Sequence, residues 1–151
     1  MPFAAAFARS RLALAQAEIA RRGGGPTDLE AALAAATEIA DDALRAQTLW
    51  TLVGTGRGLS AAPLQARIVA EAERASAAIK SELSRVWMFG EVALAHHGAG
   101  DLSTAWSAFR AGLDVAGGID NPWARARAFG KLAATLAEFE EQGLATEAAP
   151  R

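Results

Sequence analysis

The chain has no cysteine, no tyrosine, six phenylalanines and two lysines in 151 residues. Without cysteine it forms no disulfide, carries no thiol nucleophile and builds no thiolate metal site. Few aromatic and β-branched residues make a sheet an unfavourable expectation. No segment reaches the 18 or so consecutive apolar residues of a membrane span. Charges of both signs are interspersed and sum to −2, so no basic face dense enough for nucleic acid is expected. The opening MPFAAAFARSRLALAQA superficially resembles a secretory leader, but Arg9 and Arg11 interrupt its apolar run. A soluble, cytoplasmic protein is the expectation.

About a quarter of the residues are alanine, the best helix former, and small enough for helices to approach closely. Arginine outnumbers lysine 13 to 2, which with the alanine reads as the bias of a GC-rich, bacterial-like genome rather than phosphate recognition. The length suits one domain that buries roughly 68–70% of its unfolded surface.

The strongest signal is internal repetition. Arg45, Arg85 and Arg125 are evenly spaced, and Ile39, Ile79 and Ile119 repeat at the same interval. The segments IADDALRAQTLW, IKSELSRVWMF and IDNPWARARAF align around them without a gap. A fixed period of this length marks stacked helical units, none able to bury its apolar face alone.

Punctuation predicts about seven helices. The first runs from about Pro2 to Arg22 and stops at Gly23-Gly24-Gly25; the second opens at Pro26 with Thr27 or Asp28 as N-cap and ends near Ala40. Asp41-Asp42 caps a third helix to about Gly54, and Gly54–Ser60 reads as a loop. Pro63 opens the fourth, to about Lys80; Ser81 caps the fifth, to Gly98; Asp101 caps the sixth, to Gly117. Asn121-Pro122 starts the seventh. Residues 1–141 read as one helical-repeat domain and 142–151 as a frayed tail without an apolar stripe.

The apolar stripes agree with stacking. In the second, fourth and sixth helices Leu29/Ala32/Ala36/Ile39, Val69/Ala72/Ser76/Ile79 and Phe109/Gly112/Ala116/Ile119 share one spacing. In the third, fifth and seventh, Leu49/Leu52/Val53/Gly56, Phe89/Val92/Ala93/His96 and Phe129/Leu132/Ala133/Leu136 do the same. The first helix matches least, as a terminal cap would. The expected fold is all-α: an α-solenoid of stacked antiparallel helix pairs.

The stretch Phe89–Phe109 resembles a degenerate tetratricopeptide repeat. It has a large residue at Phe89, an apolar–small pair at Val92-Ala93, a turn glycine at Gly100, a small residue at Ala105 and an aromatic at Phe109. Two departures stand. The unit is about 40 residues where the family has about 34. The turn proline gives way near Gly117, with Pro122 later. The resemblance implies that the first helix of each pair lines a concave groove that takes an extended peptide or partner helix. Carried over by spacing, the groove positions are Gln47 and Trp50, then Trp87 and Gly90, then Arg127 and Gly130. Arg57, His97 and Glu138 lie further along the same helices. The partner-binding candidates are thus Gln47, Trp50, Arg57, Trp87, His97 and Arg127, with Trp and Arg the usual interface hot spots. Spacing alone leaves Trp50 and Trp87 open between core and groove.

Other features read as structural. The repeated arginines lie in the first turn of their helices, where a guanidinium bonds carbonyls of the preceding helix end or a loop acid. Trp123 reads as a staple beside the Asn121-Pro122 cap, and Trp106 as a convex-face contact for self-association. His96 and His97 point about 100° apart on a helix and do not chelate one ion, so no metal or cofactor is expected. The carboxylate pairs Asp41-Asp42 and Glu140-Glu141 sit at helix ends, and Gly23–Gly25 lacks the lysine of a phosphate loop. The expected function is a non-catalytic protein–protein interaction module or adaptor, with a self-associating structural subunit as alternative. A carrier or enzyme holding an apolar small molecule between helices would need a deep pocket lined by Trp and Phe.

Overall fold

The computed structural model describes residues 2–59 and 61–148. Seven helices and no strand occupy them: α1 Pro2–Arg21, α2 Pro26–Thr37, α3 Asp42–Gly56, α4 Ala62–Ala78, α5 Glu82–Gly98, α6 Leu102–Gly117 and α7 Pro122–Ala148. The all-α expectation holds, element by element. Ser60, the end of the expected loop, lies outside the described residues. α3 runs two residues past Gly54, and the chain then turns through Gly58 at φ +78°, a conformation that favours glycine.

Where the sequence reads as a single array, the structure divides into two compact units, Met1–Ile79 and Lys80–Arg151. In the first, α1 packs on α2 and α3 on α4, and α3 also lies against α1 and α2. The α3–α4 pair is antiparallel: Gln65 near the start of α4 bonds the Val53 carbonyl, while Ser76 near its end meets Trp50. In the second unit α5 pairs with α6, and α7 lies along α5 and touches α6. Both units therefore follow one rule, a helix pair with the next first helix laid on it.

Local chemistry explains the start points. Asp41, Ser81 and Asn121, spaced at the repeat interval, accept from the backbone N–H groups of Leu44, Ser84 and Ala124 at 2.8, 3.2 and 3.0 Å. Asp101 does the same for Thr104 at 3.2 Å. At α2 the cap differs from expectation. Gly25 is the N-cap, and Asp28, three residues in, reaches back to the Gly25 N–H at 3.1 Å. Pro26 already occupies the first helical position, so Thr27 and Asp28 fall inside the helix.

Two of the three repeated arginines, Arg45 and Arg125, perform the structural task. Arg45 donates to the Ile39 carbonyl at 2.7 Å and to Asp42 at 2.6 Å, and Arg125 donates to the Ile119 carbonyl at 3.0 Å. Both guanidinium groups seal the C-terminal end of the helix before their own.

Leu29, Ala32, Ala36 and Ile39 are all buried, as are Leu49, Leu52, Val53 and Phe89, Val92, Ala93 and His96. Two buried relays tie helices together. The Trp50 indole N–H donates to Ser76 Oγ at 2.9 Å, and Ser76 donates to the Ala72 carbonyl. Thr48 gives its proton to the Leu44 carbonyl, so the 2.7 Å contact with Ser10 has Ser10 as donor. At Gly112, Phe89 Cβ and Leu132 Cδ2 leave only 3.3 and 3.2 Å for an added Cβ, so three helices meet closely there.

The two terminal helices bring one further fact and two corrections. α1, expected as a terminal cap packed on one side, leaves Phe3, Phe7, Leu12 and Ile19 more than half exposed on the other. In α7 the stripe is buried at Leu132 but open at Phe129, Ala133 and Leu136, since no described helix packs where α4 covers α3 and α6 covers α5. Nor does α7 stop at Glu141. It continues to Ala148, and Gln142 bonds His97 Nδ1 at 2.8 Å; residues 149–151 lie outside the described residues.

Candidate functional site

The six candidates divide between the two units. Gln47, Trp50 and Arg57 belong to the first, and Trp87, His97 and Arg127 to the second. Trp50 is 7% exposed and hydrogen-bonded, so it is a core residue rather than a groove residue. Its phase explains why. One residue past the large position, the corresponding Gly90 is buried against Lys131 and Thr135 of α7, so this phase faces a packed helix. Gln47 is half-buried, and Arg57 is the exposed C-cap of α3.

His97 is likewise drawn into packing. Its ring stacks on Phe139 at 4.2 Å between centroids and 6° between planes, with Gln142 holding Nδ1. Phe139 in turn meets Trp106 edge-on at 5.4 Å, and Trp106 meets Phe109 at 5.7 Å. Trp106, expected on the outer face, thus has one edge in this cluster while remaining 39% exposed. His96 is buried and pairs with Asp101 Oδ2 at 3.2 Å, closing the α5–α6 turn. Each histidine has its own partner on a different side, as their angular separation requires.

What the structure does bring together is Trp87 with Arg127. On α7, Trp123, Arg127 and Lys131 succeed one another every four residues along one face. On α5, Trp87 and Glu91 form a parallel row. The Arg127 guanidinium carbon lies 5.0 Å from the Trp123 ring centre and 5.9 Å from that of Trp87. Lys131 lies 5.8 Å from the Trp87 ring and forms an ion pair with Glu91. Such cation–π contacts are worth about 0.5–1 kcal/mol each at exposed sites. They hold a long, rotatable side chain between two rings, which lowers the entropy cost of using it again.

The patch is open. Trp123 is 67% exposed and Arg127 is exposed, whereas Trp87 is half-buried. The staple expected of Trp123 is not formed: its ring turns outward to Arg127. Sequence spacing places Trp87 and Arg127 in one groove but misses Trp123. The signal available is the four-residue interval from Trp123 to Arg127, which sets them on one helix face. His97 lies ten residues beyond Trp87, about 15 Å along the helix, and belongs to the other cluster.

Two concavities lie in the first unit. Between α2 and α4, one cleft of about 490 Å³ is lined by Glu30, Leu33, Thr37, Arg67, Glu71 and Arg74 among others. A neighbouring one of about 280 Å³ adds Arg45 and Leu49. Neither is lined by Trp or Phe, the walls an apolar ligand between helices would require. At the end of α1, hydrogen bonds from Arg21 and then Arg22 hold the Glu18 carboxyl down at about 2; this exposed cluster is remote in sequence from the patch. Among the described residues no three His, Asp or Glu side chains are placed to hold a metal ion, and no helix is long and apolar enough to cross a membrane.

No protein-family model, curated protein or solved structure matches the chain.

Proposed function

We propose that the chain is a non-catalytic, tetratricopeptide-like interaction module whose partner surface is the Trp87–Trp123–Arg127 patch. The observation that carries this reading is an arginine held between two indoles, one of them 67% exposed. Trp and Arg dominate interface hot spots because they combine large apolar faces with charge-assisted hydrogen bonds. Both helices of the patch are first helices of their pairs, the ones that line the binding groove in the family the sequence resembles. With Lys131 already paired to Glu91, Arg127 supplies the charge for recognition. The chemistry suits a peptide or protein segment that sets an apolar side chain on Trp123 and a carboxylate against Arg127.

The test is selection of peptides from a random display library on the immobilised chain, followed by calorimetric titration. Selected peptides combining acidic and apolar residues should lose at least about tenfold in affinity on Trp123→Ala and on Arg127→Ala. Helicity and melting temperature should stay unchanged, since both side chains are exposed. Peptides that bind both variants as tightly as the parent chain would overturn the assignment.

A further inference from the structure

We propose that the open face of α7 is the contact with a second copy of this chain, through an antiparallel α7–α7 pair. On this helix Ala126, Phe129, Gly130, Ala133, Leu136 and Ala137 are all exposed and carry no charge over three turns. They form one stripe opposite the buried row Ala128, Leu132, Thr135 and Phe139. Phe129 and Leu136 are each 42% exposed, and a side chain added at Gly130 would meet nothing within 4 Å.

The repeat shows what such a face is built for. The residues at the same phase in α3 are Leu49, Val53 and Gly56, and in α5 they are Phe89, Ala93 and His96; all six are buried. In both cases a helix of the same unit packs on the pair partner's side. The seventh helix keeps the same pattern and has no described cover. It is therefore shaped to receive a helix.

Two features select a second α7 as that helix. First, the stripe is self-complementary, with a small residue at its centre, Ala133, and large ones on either side. A two-fold axis at Ala133 sets Phe129 of one copy beside Ala137 of the other, and Gly130 beside Leu136, so large meets small. Second, charge along α7 is polarised. Arg125, Arg127 and Lys131 fill the first half, and Glu138, Glu140 and Glu141 lie beyond the stripe. This order is the reverse of the one the helix dipole favours. Arg127, Glu138 and Glu141 run along one edge of the helix, because their separations are close to whole numbers of turns. The same two-fold axis places residue 127 opposite residue 139, and so sets the basic first half of each α7 along the acidic second half of the other. An antiparallel partner thus corrects on each helix the charge order that the single helix has against it.

The experiment is sedimentation velocity of the full chain from about 1 to 100 μM, the range in which a modest helix–helix dimer forms. The parent chain should shift from monomer to dimer, and Phe129→Glu should stay monomeric with unchanged circular dichroism. Because the chain has no cysteine, a thiol can be placed at will. Ala133→Cys, at the two-fold axis, should crosslink to itself on mild oxidation, within the reach of a disulfide. Ala15→Cys, on the exposed side of α1, should not. A parent chain monomeric throughout the range would overturn the proposal. So would a dimer indifferent to Phe129→Glu, or one crosslinked by Ala15→Cys and not by Ala133→Cys.

Discussion

Two tryptophans of the same repeat region show how much turns on a shift of phase. Trp87 shares its position with Gln47 and Arg127, and all three are half-buried or exposed. Trp50 shares its position with Gly90 and Gly130, and it is buried. Gly90 is the legible warning, because glycine inside a helix can mark close approach of another helix, here Lys131 and Thr135 of α7, whereas nothing lies within 4 Å of a Cβ added at Gly130. The indole of Trp50 fills that space in the first unit and bonds Ser76. Trp50→Ala should therefore cost about 3–5 kcal/mol in urea denaturation, through lost area and a residual cavity. Trp123→Ala should barely move the same curve. Arg125 supplies a second test. Its bond to the Ile119 carbonyl is charge-assisted and partly buried, so Arg125→Ala should cost about 1.5–3 kcal/mol. An unchanged urea midpoint would mean that the guanidinium seals nothing.

The helices themselves are readable because their signals are local. Asp41, Ser81, Asp101 and Asn121 each bond the backbone three residues on, a short-range interaction that needs no knowledge of the fold. Asn121→Ala should lower stability by about 1 kcal/mol, seen as a shift of a few degrees in thermal melting. The stripes of α2, α3 and α5 are legible for the same reason, as spacing fixes which residues share a face. What spacing does not fix is whether another helix covers that face, and α7 is the case in point. Phe129, Leu132, Ala133 and Leu136 repeat the pattern of α3 and α5, yet only Leu132 is buried. The far end of α7 is equally hidden from the sequence. Gln142 is held by His97 and the Leu94 carbonyl, 45 and 48 residues away, contacts that no local pattern announces. Gln142→Ala should speed amide exchange in the last turns of α7 and leave Asn121 and its first turn protected. Uniform exchange along the helix would contradict that anchoring.

At the scale of the molecule, each compact unit applies the same packing rule to a different end. The first unit buries its Trp and leaves apolar side chains of α1 outside; the second buries Phe and His and turns a Trp–Arg–Trp row to solvent. Stacked helical repeats separate in this way a recurring packing pattern from variable outer positions, and function is carried by the latter. That division explains why the architecture is so much more legible than the site. Packing recurs in every repeat and can be checked against its own copies, whereas Trp123 occurs once and has no copy to be compared with. The most direct measurement of the central claim is a ¹H–¹⁵N spectrum of the four indole N–H groups during titration with a library-selected peptide. The resonances of Trp87 and Trp123 should move together, while that of Trp50, bonded to Ser76 in the core, stays fixed. A saturable interaction that shifts Trp50 or backbone signals around Gln47 and Arg57, and leaves Trp87 and Trp123 in place, would contradict the account.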